Sequence, residues 1–260
     1  MRCSKIMEDH GNHGDLCAIN LSLDRTQITM IAMIYQDMQN YFKWNEQTIT
    51  DFSDQNINSL YNQGYLFTRV GKGVMQETRS VRIDLSKFEL SSENRRVLRK
   101  IEDLRLKIED LPYENYSWEM GKMAKDFYDN KFGKGTFSAN KVKELLTGNR
   151  KDFNKLFVYS QNDGIVGYCI VVETNEIIHY SFPFYSSPVT HPPSPNTGMG
   201  MMVKAVEYAK QQKKEYIYLG SFQRPTDTYK LQFRGLEWWN GSGWKTDIQE
   251  LKNLLIDTRI

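Results

Sequence analysis

The sequence predicts an α+β fold in which a mixed, largely antiparallel sheet is flanked by helices and preceded by a smaller α/β domain. Three β-like runs follow one another between residues 155 and 185, joined by turns near residues 162–164 and 174–176. A proline-rich segment then leads into an amphipathic helix, and the apolar run YIYLG follows that helix directly. Strands joined by short turns pair in antiparallel fashion, so we expect a meander followed by a helix and a further strand.

The N-terminal half begins with a short helix and a half-buried strand. Ser53 or Asp54 is the predicted N-cap of the helix, and Gly64 suits the position after its C-terminus. In RSVRIDL, apolar residues at positions 81, 83 and 85 alternate with polar ones, which predicts a strand with one buried face.

A basic helix is predicted after this strand. It begins after Ser91 or Ser92, and its apolar side carries Val97, Ile101 and Leu104. Its other side carries four cations that form two like-charged pairs four residues apart: Arg95, Arg96, Arg99 and Lys100. Each such pair destabilises a helix by roughly 0.3 kcal/mol. The pattern indicates either a solvated face or a surface that contacts phosphates.

Pro112 marks the predicted boundary between two domains, since proline interrupts a helix and 260 residues suffice for two cores. We expect a polar tail over residues 1–22, an N-terminal domain with the basic helix over 23–111, and a C-terminal domain over 112–260. Two further helices are expected at the start of the C-terminal domain, separated by a turn at residues 133–135.

Composition excludes several classes of protein. A hydrophobic content of 40% and a charged content of 25% are typical of a globular chain rather than a disordered one. No apolar run reaches the roughly 20 residues that cross a bilayer, and the N-terminus lacks the apolar core of a signal peptide. We therefore expect a cytoplasmic protein without a membrane partner. The net charge of +2 means that a nucleic acid would need a local basic patch.

The cysteines predict reduced thiols, because Cys3, Cys17 and Cys169 are odd in number and have no paired spacing. Cys3 and Cys17 lie near His10 and His13, so these four residues form a conceivable zinc site. Their spacing matches no common zinc motif, and the segment has the composition of a polar tail. We therefore expect no metal.

A glycine-bearing motif, residues 196–200 (NTGMG), precedes the C-terminal helix. Three antiparallel strands, such a loop, a helix and another strand together resemble the GNAT acyltransferase fold, which implies a GNAT-like transferase domain over residues 112–260. In that fold the loop's N–H groups and the helix dipole bind an anionic donor, and the strands on either side of the helix splay apart. Gly198 and Gly200 match the family pattern, but Pro195 replaces its Gln or Arg. This departure weakens the case for acetyl-coenzyme A.

Two separated motif clusters point to a narrower resemblance. The C-terminal cluster reads YLG, YKxxF and GxxW, and comprises Tyr218, Leu219, Gly220, Tyr229, Lys230, Phe233, Gly235 and Trp238. The N-terminal cluster combines an arginine, a strand, a phenylalanine, a serine turn and a double arginine: Arg82, Phe88, Ser92, Arg95, Arg96 and Arg99. Together they resemble the aminoacyl-tRNA–protein transferases, which comprise the arginyl-transferases of the N-degron pathway and the bacterial enzymes that transfer leucine. The chain lacks the cysteines that relatives carry ahead of the N-terminal cluster, so no iron–sulfur or zinc element is expected there.

This resemblance implies transfer of an amino acid, arginine or leucine, from aminoacyl-tRNA to the N-terminal α-amine of a protein or peptide, without a cofactor. In the implied site, Tyr229 orients substrate or relays a proton, and Lys230 contacts the oxyanion or the terminal phosphates. Asp227 or Glu173 would bind the cationic side chain of an arginyl donor. The substrate-binding residues are expected to be Tyr185, Asn196, Gly198, Gly200, Gly220 and Ser221. The tRNA-binding residues are expected to be Arg82, Arg95, Arg96, Arg99 and Lys100.

Two alternatives remain open at this level. One is a GNAT acyltransferase that uses acetyl-coenzyme A or another acyl-coenzyme A on a small amine. The other is a noncatalytic RNA- or peptide-binding module on a GNAT scaffold. For Tyr218 and the tryptophans near the C-terminus, packing is the expected role.

Overall fold

Alternating apolar residues build two sheets in the computed structural model, which describes residues 42–162, 164–186 and 196–256. The polar tail, the four residues of the conceivable zinc site and Pro195 lie outside these ranges. The elements in chain order are β1 (Asn45–Thr48), α1 (Asp54–Asn62), β2 (Tyr65–Phe67), β3 (Val74–Glu77), β4 (Ser80–Asp84), α2 (Ser92–Lys100), β5 (Arg105–Asp110), α3 (Trp118–Phe132), α4 (Ala139–Thr147), β6 (Lys155–Gln161), β7 (Gly164–Glu173), β8 (Ile177–Tyr185), α5 (Thr197–Gln211), β9 (Tyr216–Ser221), a 3₁₀ helix (Pro225–Gln232), β10 (Leu236–Trp239), β11 (Trp244–Lys245) and α6 (Ile248–Ile256).

The larger sheet has eight strands in the order β11-β10-β4-β9-β8-β7-β6-β5, and the smaller has three in the order β1-β3-β2. Every neighbouring pair in the larger sheet is antiparallel except β8 and β9, which are parallel. This topology confirms the predicted α+β class, with a mixed, largely antiparallel sheet flanked by helices. Strands from both sides of residue 112 share the sheet, while the boundary between folding units stays a prediction.

The two largest apolar cores among the described residues cover the two faces of the larger sheet. Side chains of successive strand residues point to opposite faces, so Leu156 and Val158 enter one core while Phe157 and Tyr159 enter the other. The first core includes residues of α1, α3 and α4, and the second includes residues of α2 and α5. Among the described residues, no helix combines the length and apolar character that crossing a bilayer requires.

Capping side chains mark where α1 and α2 begin. A change in the spacing of the apolar residues, from helical to alternating, marks where α2 ends. The hydroxyls of Ser53 and Ser91 each accept a backbone N–H bond within the first turn of α1 and α2. The predicted continuation of the basic helix through Leu104 is wrong, since α2 ends at Lys100 and residues 105–110 form the edge strand β5. The sequence RLKIED alternates with a period of two, which is typical of a strand.

Candidate functional site

The strands β8 and β9 part from each other at one end of the larger sheet. They pair only where Ile177–His179 lies beside Tyr216–Tyr218. Beyond this point β8 continues along β7 as far as Tyr185, and β9 continues along β4 as far as Ser221. A bulge in the β7–β8 ladder at Ser181 adds to the divergence, because a bulge bends its strand. We call this region the splayed end; it comprises residues 180–185 of β8 and 219–221 of β9.

The 3₁₀ helix after β9 carries Lys230 into the splayed end. The Lys230 Nζ donates a hydrogen bond of 2.6 Å to the backbone oxygen of Ser221. It also lies 3.8 Å from where a Cβ on Gly220 would stand. Gly220 has a φ of +82°, a conformation that favours glycine. The structure therefore brings Gly220, Ser221 and Lys230 together, and their role in a site stays a prediction.

Asp227 fixes the start of the same 3₁₀ helix. Its Oδ2 atom accepts hydrogen bonds from the backbone N–H groups of Gln223 and Arg224, each at 3.0 Å. The Asp227 side chain is buried with these partners. Its carboxylate therefore caps the 3₁₀ helix. Because Lys230 lies three residues later in the same helix, this cap helps to position the Lys230 side chain.

The electrostatics of the splayed end are set by burial. Burial lowers the pKa of Lys230 below its usual value; the Asp227 carboxylate opposes this shift and the Lys131 ammonium adds to it. Burial, together with the charge of Lys230, lowers the pKa of His179 to about 3. His179 is therefore a neutral side chain, and its Nδ1 lies 2.9 Å from the Tyr61 hydroxyl. A lysine with a lowered pKa supplies a proton acceptor nearer neutral pH.

The C-terminus of α3 adds residues that the sequence did not predict. Lys131 Nζ lies 5.3 Å from the ring centroid of Phe127, and equally far from those of Phe132 and Tyr229. The guanidinium carbon of Arg224 lies 5.0 Å from the Phe132 centroid. Burial raises the pKa of Tyr229 well above its usual value, so this phenol is protonated. The helix itself was predicted, but no sequence signal joins its end to a segment almost one hundred residues later.

The NTGMG motif divides into two environments. A Cβ on Gly198 would lie 2.8 Å from the hydroxyl of Tyr185, at the end of β8. A Cβ on Gly200 would lie 1.9 Å from Cδ1 of Ile101, so Gly200 permits close packing of α5 against the segment after α2. The Asn196 backbone oxygen accepts a bond of 2.7 Å from Gly200 N–H at the start of α5. Tyr185, Asn196 and Gly198 thus border the splayed end, while Gly200 is a packing position.

Arg82 does not join the basic helix. Its guanidinium is buried and donates to Glu237 at 2.9 Å, to Asn62 at 2.9 Å and to the Tyr218 hydroxyl at 3.2 Å. The guanidinium carbon also lies between two rings, 3.7 Å from the centroid of Tyr216 and 3.8 Å from that of Trp244. These contacts leave Arg82 no surface for RNA, which corrects its predicted role in tRNA binding. Tyr218 is fully buried.

The remaining cations lie on the exposed side of α2. Arg95, Arg96, Arg99 and Lys100 are all exposed. Arg96 forms a two-pronged ion pair with Glu93, and the Arg95 side chain donates to a backbone oxygen. A shallow depression lies beside them, lined by Ser92, Arg95, Leu98 and Arg99. The surface therefore carries four cations against one carboxylate and fits a polyanion.

The second carboxylate predicted to bind a cationic donor lies elsewhere. Glu173 pairs with Lys214 at 3.0 Å and stands beside Ile178, on the paired part of β8. It is thus engaged in an ion pair away from the splayed end. Among the described residues, no group of three or more metal-binding side chains occurs.

Several solved structures are similar to this chain at low sequence identity. No protein-family model matches the sequence, and no curated protein matches it. L-PGS from Bacillus licheniformis is 13% identical, with a TM-score of 0.44, over 89% of this chain and 77% of the other. FemX is 10% identical, with a TM-score of 0.44, over 88% and 79%. The C-terminal DUF2156 domain of an Agrobacterium fabrum protein, a candidate lysylphosphatidylglycerol synthetase, is 11% identical, with a TM-score of 0.43, over 79% and 70%. At these scores the likenesses carry no argument about function.

Proposed function

We propose that this chain is an aminoacyl-tRNA–protein transferase, which moves an amino acid from its tRNA ester to the N-terminal α-amine of a protein or peptide. The observation that carries the proposal is the buried amino group of Lys230 at the splayed end. Burial lowers its pKa, and its nitrogen stands next to the backbone of Gly220 and Ser221, where the two strands open. A proton acceptor between two diverging strands suits an acyl transfer in which an amine must lose a proton.

The reaction is an aminolysis. The α-amine attacks the ester carbonyl, a C–N bond forms, and the C–O bond to the terminal ribose of the tRNA breaks. Neutral Lys230 accepts a proton from the attacking nitrogen and returns it to the departing ribose oxygen. The protonated Tyr229 phenol donates a hydrogen bond that orients the carbonyl. Because the ester is already activated, positioning and proton transfer account for most of the catalysis, and the mechanism needs no cofactor.

The exposed side of α2 is the proposed tRNA surface. Arg95, Arg96, Arg99 and Lys100 meet phosphates of the acceptor stem, and Arg82 is left out because its donors are used inside the protein. The α2 helix is joined to α5 through the contact of Ile101 with Gly200, so the basic surface and the start of α5 form one packed unit. Binding of this kind weakens steeply as salt rises.

The acyl-coenzyme A alternative has less support. In that alternative the backbone at Gly198 and Gly200 approaches a pyrophosphate, which requires open space beside the glycines. Tyr185 fills the space beside Gly198, and Ile101 fills the space beside Gly200. Calorimetric titration with acetyl-coenzyme A tests this alternative, and we expect no heat of binding.

Peptide labelling tests the proposed function directly. The purified chain is incubated with labelled arginyl-, leucyl- and phenylalanyl-tRNA and with peptides that differ in their N-terminal residue. We expect label to enter at least one peptide through a bond that resists mild alkali, as an amide does and an ester does not. The same peptides with acetylated N-termini are the matched control and should stay unlabelled. If no peptide acquires label from any of the three donors, the proposal is wrong.

A further inference from the structure

His179 lies at the point where β8 and β9 part, although no motif of the sequence singles it out. It is the last residue of β8 that pairs with β9, and its partner there is Tyr218. The residues that follow, from 180 in β8 and from 219 in β9, form the splayed end. Lys230 is near enough that a charge on its nitrogen would act on the imidazole. His179 therefore stands at the closed end of the opening that the proposed base enters.

The His179 ring is buried, and α1 holds one of its two nitrogens. The Tyr61 hydroxyl lies 2.9 Å from Nδ1, and the Tyr61 ring packs edge-on against both His179 and Tyr218. Only 3% of the His179 surface is exposed. Burial disfavours the charged form of the ring and lowers its pKa to about 3. At neutral pH the imidazole therefore carries one proton, on one of its two nitrogens.

The Tyr61 hydroxyl decides which nitrogen carries that proton. Burial raises the pKa of the phenol well above its usual value, so the phenol keeps its proton. The backbone N–H of Phe67 acts in the opposite direction, as a hydrogen-bond donor to the phenol oxygen does. If Nδ1 donated to this oxygen as well, the buried hydroxyl hydrogen would have no acceptor among the described residues. The hydroxyl therefore donates to Nδ1, and the proton of the neutral ring is on Nε2.

The Nε2–H group is a donor that the protein itself does not use. Within the part of the chain that the structure describes, Nε2 forms no hydrogen bond. The wholly buried, unpartnered side-chain atoms of that part belong to Thr68, Asn94, Tyr159 and Tyr180, so Nε2 of His179 keeps contact with open space. Buried N–H groups in proteins nearly always have a partner. An unused donor beside the splayed end therefore indicates that a ligand atom binds there.

We infer that His179 is a catalytic residue whose Nε2–H group donates a hydrogen bond to the carbonyl oxygen of the aminoacyl ester. The inference rests on the proposed function and adds a residue to the same site. When the α-amine attacks, the C–N bond forms, the carbonyl oxygen becomes negative, and Lys230 takes the proton of the nitrogen. His179 keeps its own proton and stabilises the oxyanion. The carbonyl then re-forms, the C–O bond to the ribose breaks, and the ribose oxygen receives the proton from Lys230.

Two substitutions separate hydrogen-bond donation from packing. His179→Met has a similar volume but no N–H group, whereas His179→Gln keeps an N–H group at the end of its side chain. In the peptide-labelling assay, His179→Met should lower kcat about 100-fold with little change in KM, because the lost contact strengthens in the transition state. His179→Gln should recover at least about tenfold of this loss.

The outcomes distinguish this inference from the proposed function. Wild-type kcat in His179→Met, or equal losses in the methionine and glutamine variants, would overturn the role of Nε2 and leave the proposed function standing. No transfer by the wild-type chain from any donor would remove both.

Thr174→Val is the matched control for the attachment of α1 to the sheet. Thr174 is also buried, and its hydroxyl donates to Asn58 of α1 at 2.6 Å, at the other end of β8 from the splayed end. The control should be less stable than the wild type in denaturant unfolding but should keep its kcat. An equal fall of kcat in Thr174→Val and His179→Met would show that the attachment of α1, and not the His179 N–H group, limits the reaction.

If His179→Met does not fold, nitrogen NMR of the wild-type protein with labelled histidine is the alternative measurement. The spectra show which ring nitrogen carries the proton, and we expect Nε2. A nonreactive analogue, in which the amino acid is joined to the terminal adenosine by an amide, should then shift the Nε2 signal. A proton on Nδ1, or an unchanged Nε2 signal at saturating analogue, would overturn the inference.

Discussion

Arg82 and Lys230 are both buried cations, with 6% and 7% of their surface exposed, but their surroundings differ. Arg82 has a carboxylate, an amide oxygen, a phenol and two rings as partners. Lys230 has a backbone oxygen, and the nearby Asp227 carboxylate accepts bonds from backbone N–H groups. A fully partnered cation holds strands together. A cation without a direct ion pair has a shifted pKa, and that shift equips it for proton transfer.

Arg82→Met tests the structural side of this contrast and should have the largest effect. The substitution leaves Glu237 buried without its arginine, and breaking such a pair costs about 3 kcal/mol of unfolding free energy. Denaturant unfolding measures the loss. Lys87→Met is the matched control, because Lys87 also contacts Glu237, at 3.3 Å, but is largely exposed. The control should lower the unfolding free energy far less, because an exposed ion pair is screened by solvent. Similar losses in the two variants would show that the buried network is not what stabilises the strands.

Lys230→Met tests the catalytic side. Removing the proposed base should lower kcat about 100-fold with little change in KM, while unfolding free energy changes by less than about 1 kcal/mol, since one hydrogen bond to a backbone oxygen is lost. Peptide-labelling kinetics and denaturant unfolding measure the two quantities. Wild-type kcat should rise with pH until Lys230 is deprotonated, below the usual lysine range, and the variant should lose that step. An unchanged kcat would leave Lys230 as a packing residue.

The neutral His179 beside Lys230 predicts a dependence of stability on pH. Its pKa is lowered to about 3 in the folded chain from 6.5, so between these values the unfolded chain binds a proton that the folded chain does not. Stability therefore falls as pH drops below 6.5, and this group alone should cost about 2 kcal/mol between pH 7 and pH 5. Denaturant unfolding at both values measures the loss, which should be absent in His179→Gln. If that variant does not fold, NMR titration of the wild-type protein is the alternative measurement. A His179 signal that titrates near pH 6 would contradict the prediction.

The exposed cations of α2 differ from both buried cations, Arg82 and Lys230. Substituting them should have the smallest effect of the changes considered, and the effect should be on tRNA binding. Arg95→Gln combined with Arg99→Gln should weaken tRNA binding about tenfold at 0.1 M salt and reduce the salt slope by about 2, since two phosphate contacts are lost. Filter binding over a salt series measures both. Lys107→Gln combined with Arg234→Gln removes the same charge from exposed residues that are paired with Glu109 and Glu89. If this control weakened binding equally, net charge and not the α2 surface would explain the loss.

Local patterns were sufficient for much of the fold. Ser53 and Ser91 are capping residues with local partners, and the alternation around Val81 and Ile83 produces β4. The edge strand β5 was missed although RLKIED alternates, because the heptad-like spacing of Val97, Ile101 and Leu104 continued the helical pattern past Lys100. Short segments with two compatible periods are decided by their neighbours, and here pairing with β6 selects the strand.

For the candidate site too, some residues could be predicted from the sequence and others could not. From the sequence alone came Lys230, Tyr229, Gly220 and the basic surface of α2, because each lies in a short motif whose residues are close along the chain. Only the tertiary structure decided that Arg82 is sealed between two rings, that Asp227 caps a helix, and that Lys131 faces Tyr229. The physical reason is range: capping and periodicity act over a few residues, whereas burial and the choice of ion-pair partner depend on groups that folding brings together from distant parts of the chain.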